Sequence, residues 1–422
     1  MNDTTISAVR GRRVWDSRGR PTVEAEVSLA GRAQGRAIAP AGASTGSGEA
    51  LDRRDGGPAQ GGYDVQGAVA AVNGEIAAAV SGLDAADQAA VDGRLIELDG
   101  TPDKSRLGGN ACIATSLAVA QAAAAAARQP LWRYLMPDAA TLPLPEIQIF
   151  GGGAHAGRRV DIQDFMVVCP GASSFAEALD WTAEVYRAAG RLMAEAGNLA
   201  GVADEGGWWP AFDTNEQALG TLLQAIETAG FQPRDQVAIS LDVAASEFGR
   251  GGLYRLGLED CELDSEGMIV LLLGWLERYP IVSIEDPLAE DDLEGFAAFT
   301  RAVGDRVQVV ADDLTVTDAG RVRDAAALGA ANTLLVKPNQ RGTLTETRAA
   351  YDAAVAAGWR AIVSARSGET EDVAIVHLAV GWGAGQLKVG SFSRSERMAK
   401  WNEALRIEEA LGASARLARP FA

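Results

Sequence analysis

Six short runs of β-branched and apolar residues each end in a polar side chain able to do chemistry. They are VAISLD (237–242), IVSIED (281–286), VQVVADD (307–313), TLLVKPN (333–339), RAIVSARS (360–367) and GQLKVGS (385–391). Their polar ends place Asp242, Glu285, Asp312, Lys337, Arg366 and Lys388. Three carboxylates brought to one spot repel one another and hold their protons unless a cation neutralises them. The chain has only two histidines, His155 and His377, and three scattered cysteines, Cys112, Cys169 and Cys261. A multi-histidine zinc site is therefore excluded, and a hard divalent ion with oxygen ligands, Mg²⁺, fits the donors present. The competing role for each acid is to cap the helix that follows it. A lysine beside a bound cation in a dry pocket loses its proton more readily, so Lys337 and Lys388 are candidate bases, or else ion-pair partners of the acids. Arg366 and Ser367, followed by Gly368, offer a guanidinium fork, a hydroxyl and free backbone N–H groups to a phosphate or carboxylate. The combination suits proton abstraction next to a metal-bound carboxylate.

Elements must bring these groups together. The six polar ends are spaced by 43, 27, 25, 29 and 22 residues, about the length of one βα unit. Near-continuous apolar runs are the mark of parallel strands covered on both faces. A doubly wound sheet would give the same spacing, but only a closed (β/α)₈ barrel gathers so many strand ends at one mouth. The first third reads differently. Strands are expected at Arg13–Trp15, Thr22–Leu29 and Gly35–Ala39, then a small-residue loop, PAGASTGSG (40–48), then helices near Val65–Ser81, Ala85–Leu95 and Asn110–Arg128. Strands followed by helices predict an α+β unit. The proline-rich MPDAATLPLPE (136–146) marks the boundary, giving domains at 1–137 and 138–422.

Composition narrows the partners. The formal charge is −19 over 422 residues, which disfavours nucleic acid and anionic lipid surfaces. The unpaired cysteine pattern and an N-terminus without an apolar core predict a cytoplasmic protein. The apolar run 111–127 is shorter than a bilayer span and reads as a buried helix. His377 lies in a helical stretch and reads as packing or surface, and Trp275, Trp359, Trp382 and Trp401 as core or dimer packing.

The chain resembles the enolase family along nearly its full length. The resemblance rests on DSRGRPTVEAEV (16–27), GASTGSGEAL (42–51), LGGNACIATSLAVAQAAA (107–124), VDIQDFM (160–166), ADEGG (203–207), LDVAASEF (241–248), SIEDPLAEDD (283–292), ADDLTVT (311–317), KPNQRGTLTET (337–347), SARSGETED (364–372) and the stretch 385–409. It implies an α/β enolase fold, with an N-terminal α+β capping domain and a modified barrel whose early strands break strict βα alternation. It also implies a homodimer and two Mg²⁺ ions, the second arriving with substrate. By this resemblance Asp242, Glu285 and Asp312 are the Mg²⁺ ligands. Lys337 is the base acting on carbon 2 of 2-phosphoglycerate, and Lys388 binds the substrate carboxylate. Glu205 assists the departing hydroxyl, Arg366 and Ser367 clamp phosphate, Gln163 contacts substrate, and His155 sits on a mobile loop. Ser44 closes over the substrate and helps hold the second metal ion.

Several positions depart from the family pattern. SARSGET stands for SHRSGET, so Ala365 replaces a substrate-contacting histidine; QDFM stands for QEFM, so Asp164 replaces a glutamate that works with Glu205. GGGAHA stands for NGGxHA, with Gly151 for asparagine; Trp208 and Trp209 follow DEGG; and KPNQRG stands for KVNQIG, with Pro338 and Arg341. Shortening a catalytic side chain by one methylene shifts its carboxylate by about 1 Å, enough for ~100-fold in rate. The expectation is a specialised member that keeps enolpyruvate-type chemistry on a small phosphorylated acid and admits a second phosphonate or nucleotide-activated donor. Such members serve phosphonate, phosphinate and antibiotic biosynthesis. Arg341, or else Trp208 and Trp209, are expected to contact the bulkier donor, such as a nucleotide. The competing readings are an ordinary phosphopyruvate hydratase and a non-catalytic binding protein.

Overall fold

A computed structural model describes residues 3–421. It opens with an antiparallel meander of β1 (Ile6–Trp15), β2 (Pro21–Leu29) and β3 (Gln34–Ile38). β1 begins seven residues before the expected Arg13, because charges at Arg10, Arg12 and Arg13 and a register irregularity between Ile6 and Ala8 blur its alternation. Helices α1 (Gln88–Asp99) and α2 (Gly109–Ala126) follow. α2 is long and apolar enough to cross a membrane, yet it lies buried in the protein core against β2 and β3.

The second part is a closed eight-stranded barrel. Its strands are β4 (Leu144–Gly151), β5 (Asp164–Val168), β6 (Ala238–Asp242), β7 (Ile281–Glu285), β8 (Gln308–Ala311), β9 (Thr333–Val336), β10 (Arg360–Ser364) and β11 (Gln386–Ser391). Every residue of β6, β7, β8 and β9 is buried, which is why these runs are mostly apolar. β11 pairs parallel with β4, but β5 runs antiparallel to both β4 and β6. The link between β4 and β5 is too short for a crossover helix, so the chain must turn straight back. Two helices then follow in succession, α3 (Phe175–Glu195) and α4 (Asn215–Thr228). After β6 comes a small three-stranded antiparallel sheet (residues 249–264) and then α5 (Ser265–Arg278); strict alternation runs from β7, with α6 (Leu293–Val303), α7 (Ala319–Ala327), α8 (Leu344–Ala356), α9 (Ala374–Trp382) and α10 (Ser395–Leu411).

The helix caps settle one alternative. Ser174, Thr214, Asp264, Asp292, Asp318 and Thr343 accept the first-turn N–H groups of α3 to α8. None of the strand-end acids Asp242, Glu285 and Asp312 is a cap, so their carboxylates are free for other work.

Candidate active site

Asp242 and Glu285 are the last residues of β6 and β7 and face each other in register. Asp312 and Lys337 directly follow β8 and β9. Lys388 lies in β11, and Ala365, Arg366 and Ser367 follow β10. Asp164 opens its strand rather than ending it. The reversed direction of β5 puts that first residue opposite Asp242, at the same mouth. Glu205 arrives on a loop, His155 on a single 3-10 turn (Gly153–Ala156), and Gln163 precedes β5. With Ser44 all of these except Glu285, which lies just behind the wall within reach of Lys388, line one pocket at the C-terminal face of the barrel, where barrel chemistry is done.

The charges interlock. Lys388 Nζ lies 2.7 Å from Asp242, 2.8 Å from Glu285 and 3.6 Å from Asp164. Lys337 pairs with Asp312 Oδ2, whose other oxygen accepts from Gln340 at 3.0 Å. Gln163 donates to Asp242 at 3.1 Å. Burial and the nearby Asp242 hold Glu285 well above the usual carboxylate range, against the pull of Lys388. Burial also acts to raise Asp242, but Lys388 outweighs it and leaves that acid below its ordinary value. Burial acts to lower both lysines; Asp312 reverses this for Lys337, and Asp242 and Glu285 for Lys388, so both end above the ordinary lysine value.

A second cluster sits across the pocket. His155 Nε2 is 3.8 Å from Asp164 and 3.9 Å from Glu205. Burial pushes Asp164 up to about 6, while for Glu205 the effect of burial is overturned by His155 and Arg397, which leave it below its ordinary value. Two neighbouring carboxyls are thus driven apart, one toward the acid form and one toward the base form.

The loop 40–48 closes the pocket from the N-terminal unit. Ser44 Oγ donates to Glu247 at 2.6 Å, its carbonyl accepts from Arg366 at 2.9 Å, and Ala43 N donates to Ser367 Oγ at 3.0 Å. Gly42 is required here, since a Cβ would come within 2.1 Å of the Arg366 guanidinium. With the loop down, the free cavity is about 30 Å³, room for a water molecule.

Sequence reasoning missed several groups. Glu49 grips Arg366 through both oxygens, at 2.8 and 3.2 Å, so the guanidinium fork is already held. Gln148 donates to Asp164. Asp286 accepts the backbone N–H groups of Asp312 and Asp313, both at 2.9 Å, and fixes that turn. Arg397, fully buried, donates to the carbonyls of Arg366 and Val389 at 2.7 and 2.8 Å and to that of Ser367. The acidic doublets at 285–286 and 312–313 were the available signal for Asp286 and Asp313.

None of Arg341, Trp208 and Trp209 lines the pocket. Trp208 stacks on Tyr186 at 4.7 Å and donates to its carbonyl at 2.9 Å, packing against α3. Arg341 pairs with Asp318 at 3.1 Å. Gly151 has a local reason: a Cβ there would meet Ala203 Cβ at 2.8 Å and Gln148 Oε1 at 3.0 Å. Ala365 does line the pocket, its N–H bonded to the Lys388 carbonyl at 2.9 Å.

The donor set fits a divalent cation. Among the lining residues, Asp164, Glu205, Asp242, Asp286, Asp312 and Asp313 face only Lys337, Arg366 and Lys388. Beside them, buried Glu285 Oε1 has no hydrogen-bond partner. Such an excess of buried carboxylate oxygen is what a hard ion neutralises. Fold and site together define a barrel enzyme of the metal-assisted acid–base class. The description "Enolase, C-terminal TIM barrel domain" matches residues 139–420, and "Enolase, N-terminal domain" matches residues 6–135. The chain belongs to the enolase family.

Proposed function

We propose that this enolase-family enzyme acts on a 2-phosphoglycerate- or phosphoenolpyruvate-type acid as a specialised member, of the kind represented by carboxyphosphonoenolpyruvate synthase in phosphonate and phosphinate biosynthesis. Mg²⁺ held by Asp242, Glu285 and Asp312 would neutralise the substrate carboxylate and the negative charge that develops on it. Lys337 takes the proton from carbon 2 once it is released from Asp312. Lys388 orients the carboxylate, Arg366 and Ser367 hold the phosphate, and Ser44 shuts water out and stands ready for a second ion. On the far side Glu205, Asp164 and His155 manage the proton of the leaving or incoming group.

The observation that carries the specialised reading is Ala365. A methyl group in the pocket wall beside Lys388 gives no hydrogen bond to a substrate and leaves room for a larger phosphorus-bearing partner. Asp164, one methylene short, is drawn back to Gln148. The second reading, an ordinary hydratase releasing water from 2-phosphoglycerate in glycolysis, is favoured by the complete set of Lys337, Glu205 and His155 at one mouth. A direct assay of enolpyruvate absorbance with 2-phosphoglycerate and Mg²⁺ separates them. Slow or absent turnover with saturable phosphoenolpyruvate binding is expected, and turnover at ordinary enolase rates would sink the specialised reading. In the same assay Ala365→His with Asp164→Glu should raise hydratase activity by ten-fold or more.

A further inference from the structure

The opposite end of the barrel holds a second cavity of about 390 Å³, between the starts of β7, β8 and β10, the turn before β6 and residues 419–421. Arg234, Arg306, Arg360 and Arg419 line it, against one acid, Asp235, among the described residues. In a chain of charge −19, four guanidinium groups around one hollow are a local inversion of the field. Arg306 donates to the carbonyls of Val303 and Ala302 at 3.2 and 3.3 Å, and Arg419 to that of Pro170 at 2.6 Å. These neutral acceptors orient the groups without cancelling their charge. Among the described residues, none of the four arginines makes an ion pair.

A buried polar group adds a second pointer. Gln308, first residue of β8 and 2% exposed, also lines the cavity. Gln386 gives its Nε2 to Glu146 Oε2 at 3.3 Å and so turns its Oε1 to accept Gln308 Nε2 at 2.7 Å. That order fixes the Gln308 amide and leaves its buried Oε1 without a partner. Four guanidinium forks around the hollow and an unpaired amide acceptor on a wall residue match a ligand that carries phosphate and also hydroxyl donors.

We infer that this cavity binds a small, multiply phosphorylated, hydroxyl-bearing metabolite. Strands of about five residues set the cavity roughly 16 Å from the catalytic mouth. Barrel chemistry is confined to the other face, so the bound molecule is an effector and not a substrate. The inference does not depend on the reaction proposed above.

Calorimetric titration of the metal-free full chain with fructose 1,6-bisphosphate tests it. One saturable site per chain is expected. Arg234→Ala with Arg360→Ala should weaken binding ten-fold or more while activity stays unchanged. Arg419→Ala alone should weaken it measurably, and Arg366→Ala, at the catalytic mouth, should leave it intact. Absence of saturable binding, unchanged affinity in both the double variant and Arg419→Ala, or loss on Arg366→Ala would overturn the assignment. Both arginines of the double variant are exposed, so its melting temperature should match that of the parent and exclude misfolding as the cause.

Discussion

The charged groups of the mouth stand in named pairs. Lys388 answers Asp242 and Glu285, Lys337 answers Asp312, and His155 stands between Asp164 and Glu205. Asp164 has a measurable consequence. Burial, partly offset by His155 and Lys388, pushes its carboxyl from 3.8 up to about 6. The folded chain therefore holds this proton more tightly than the unfolded chain. Its contribution to stability is fully present below pH 3.8 and is lost as pH rises through about 6. The difference amounts to at most about 3 kcal/mol. Asp164→Asn should therefore raise the melting temperature of the metal-free protein more at pH 7.5 than at pH 4.5; an equal shift at both would contradict the burial argument. The strand-end acids and lysines were legible in sequence because each closes an apolar run. Glu49 was not, because its partner Arg366 is 317 residues away and nothing local marks the pair.

Two kinds of element build the site. Asp242, Glu285, Asp312 and Lys337 stand on or directly after barrel strands, whereas Ser44 belongs to a loop carried by the N-terminal unit. The Arg366–Ser367 corner after β10 is held from behind by Arg397 of α10, whose guanidinium satisfies the carbonyls of Arg366, Ser367 and Val389. Leaving buried acceptors unmet costs about 1–3 kcal/mol each. Arg397→Met should therefore lower stability by about 3 kcal/mol or more in urea unfolding and weaken phosphate binding with it; wild-type stability would contradict this role. Six barrel strands were readable from period and spacing. β4 and β5 were not read from the residues: β4 carries the polar Glu146 and Gln148 among its apolar residues, and β5 begins with its acid, Asp164, reversing the pattern of the others. Their irregularity was implied only by family resemblance.

At the scale of the whole molecule, the net charge of −19 is unevenly spent. Negative charge is concentrated in the catalytic mouth, while the opposite end of the barrel gathers arginines. A divalent ion bound only by the folded chain stabilises all of it by mass action. Millimolar Mg²⁺ should raise the melting temperature by several degrees, and Glu285→Gln should abolish most of that rise; an unchanged rise would place the ion elsewhere. The homodimer and the cytoplasmic setting remain proposals drawn from family resemblance and composition. The central claim, that Lys337 removes a proton from carbon 2 of a metal-bound acid, is tested most directly by isotope exchange. The protein is incubated with 2-phosphoglycerate and Mg²⁺ in deuterium oxide and carbon 2 is followed by proton NMR. This reads proton removal whether or not water is expelled afterwards. Deuterium should enter carbon 2 with the native protein and fail to enter with Lys337→Ala. No exchange with the native protein, or undiminished exchange in the variant, would contradict the assignment of the base.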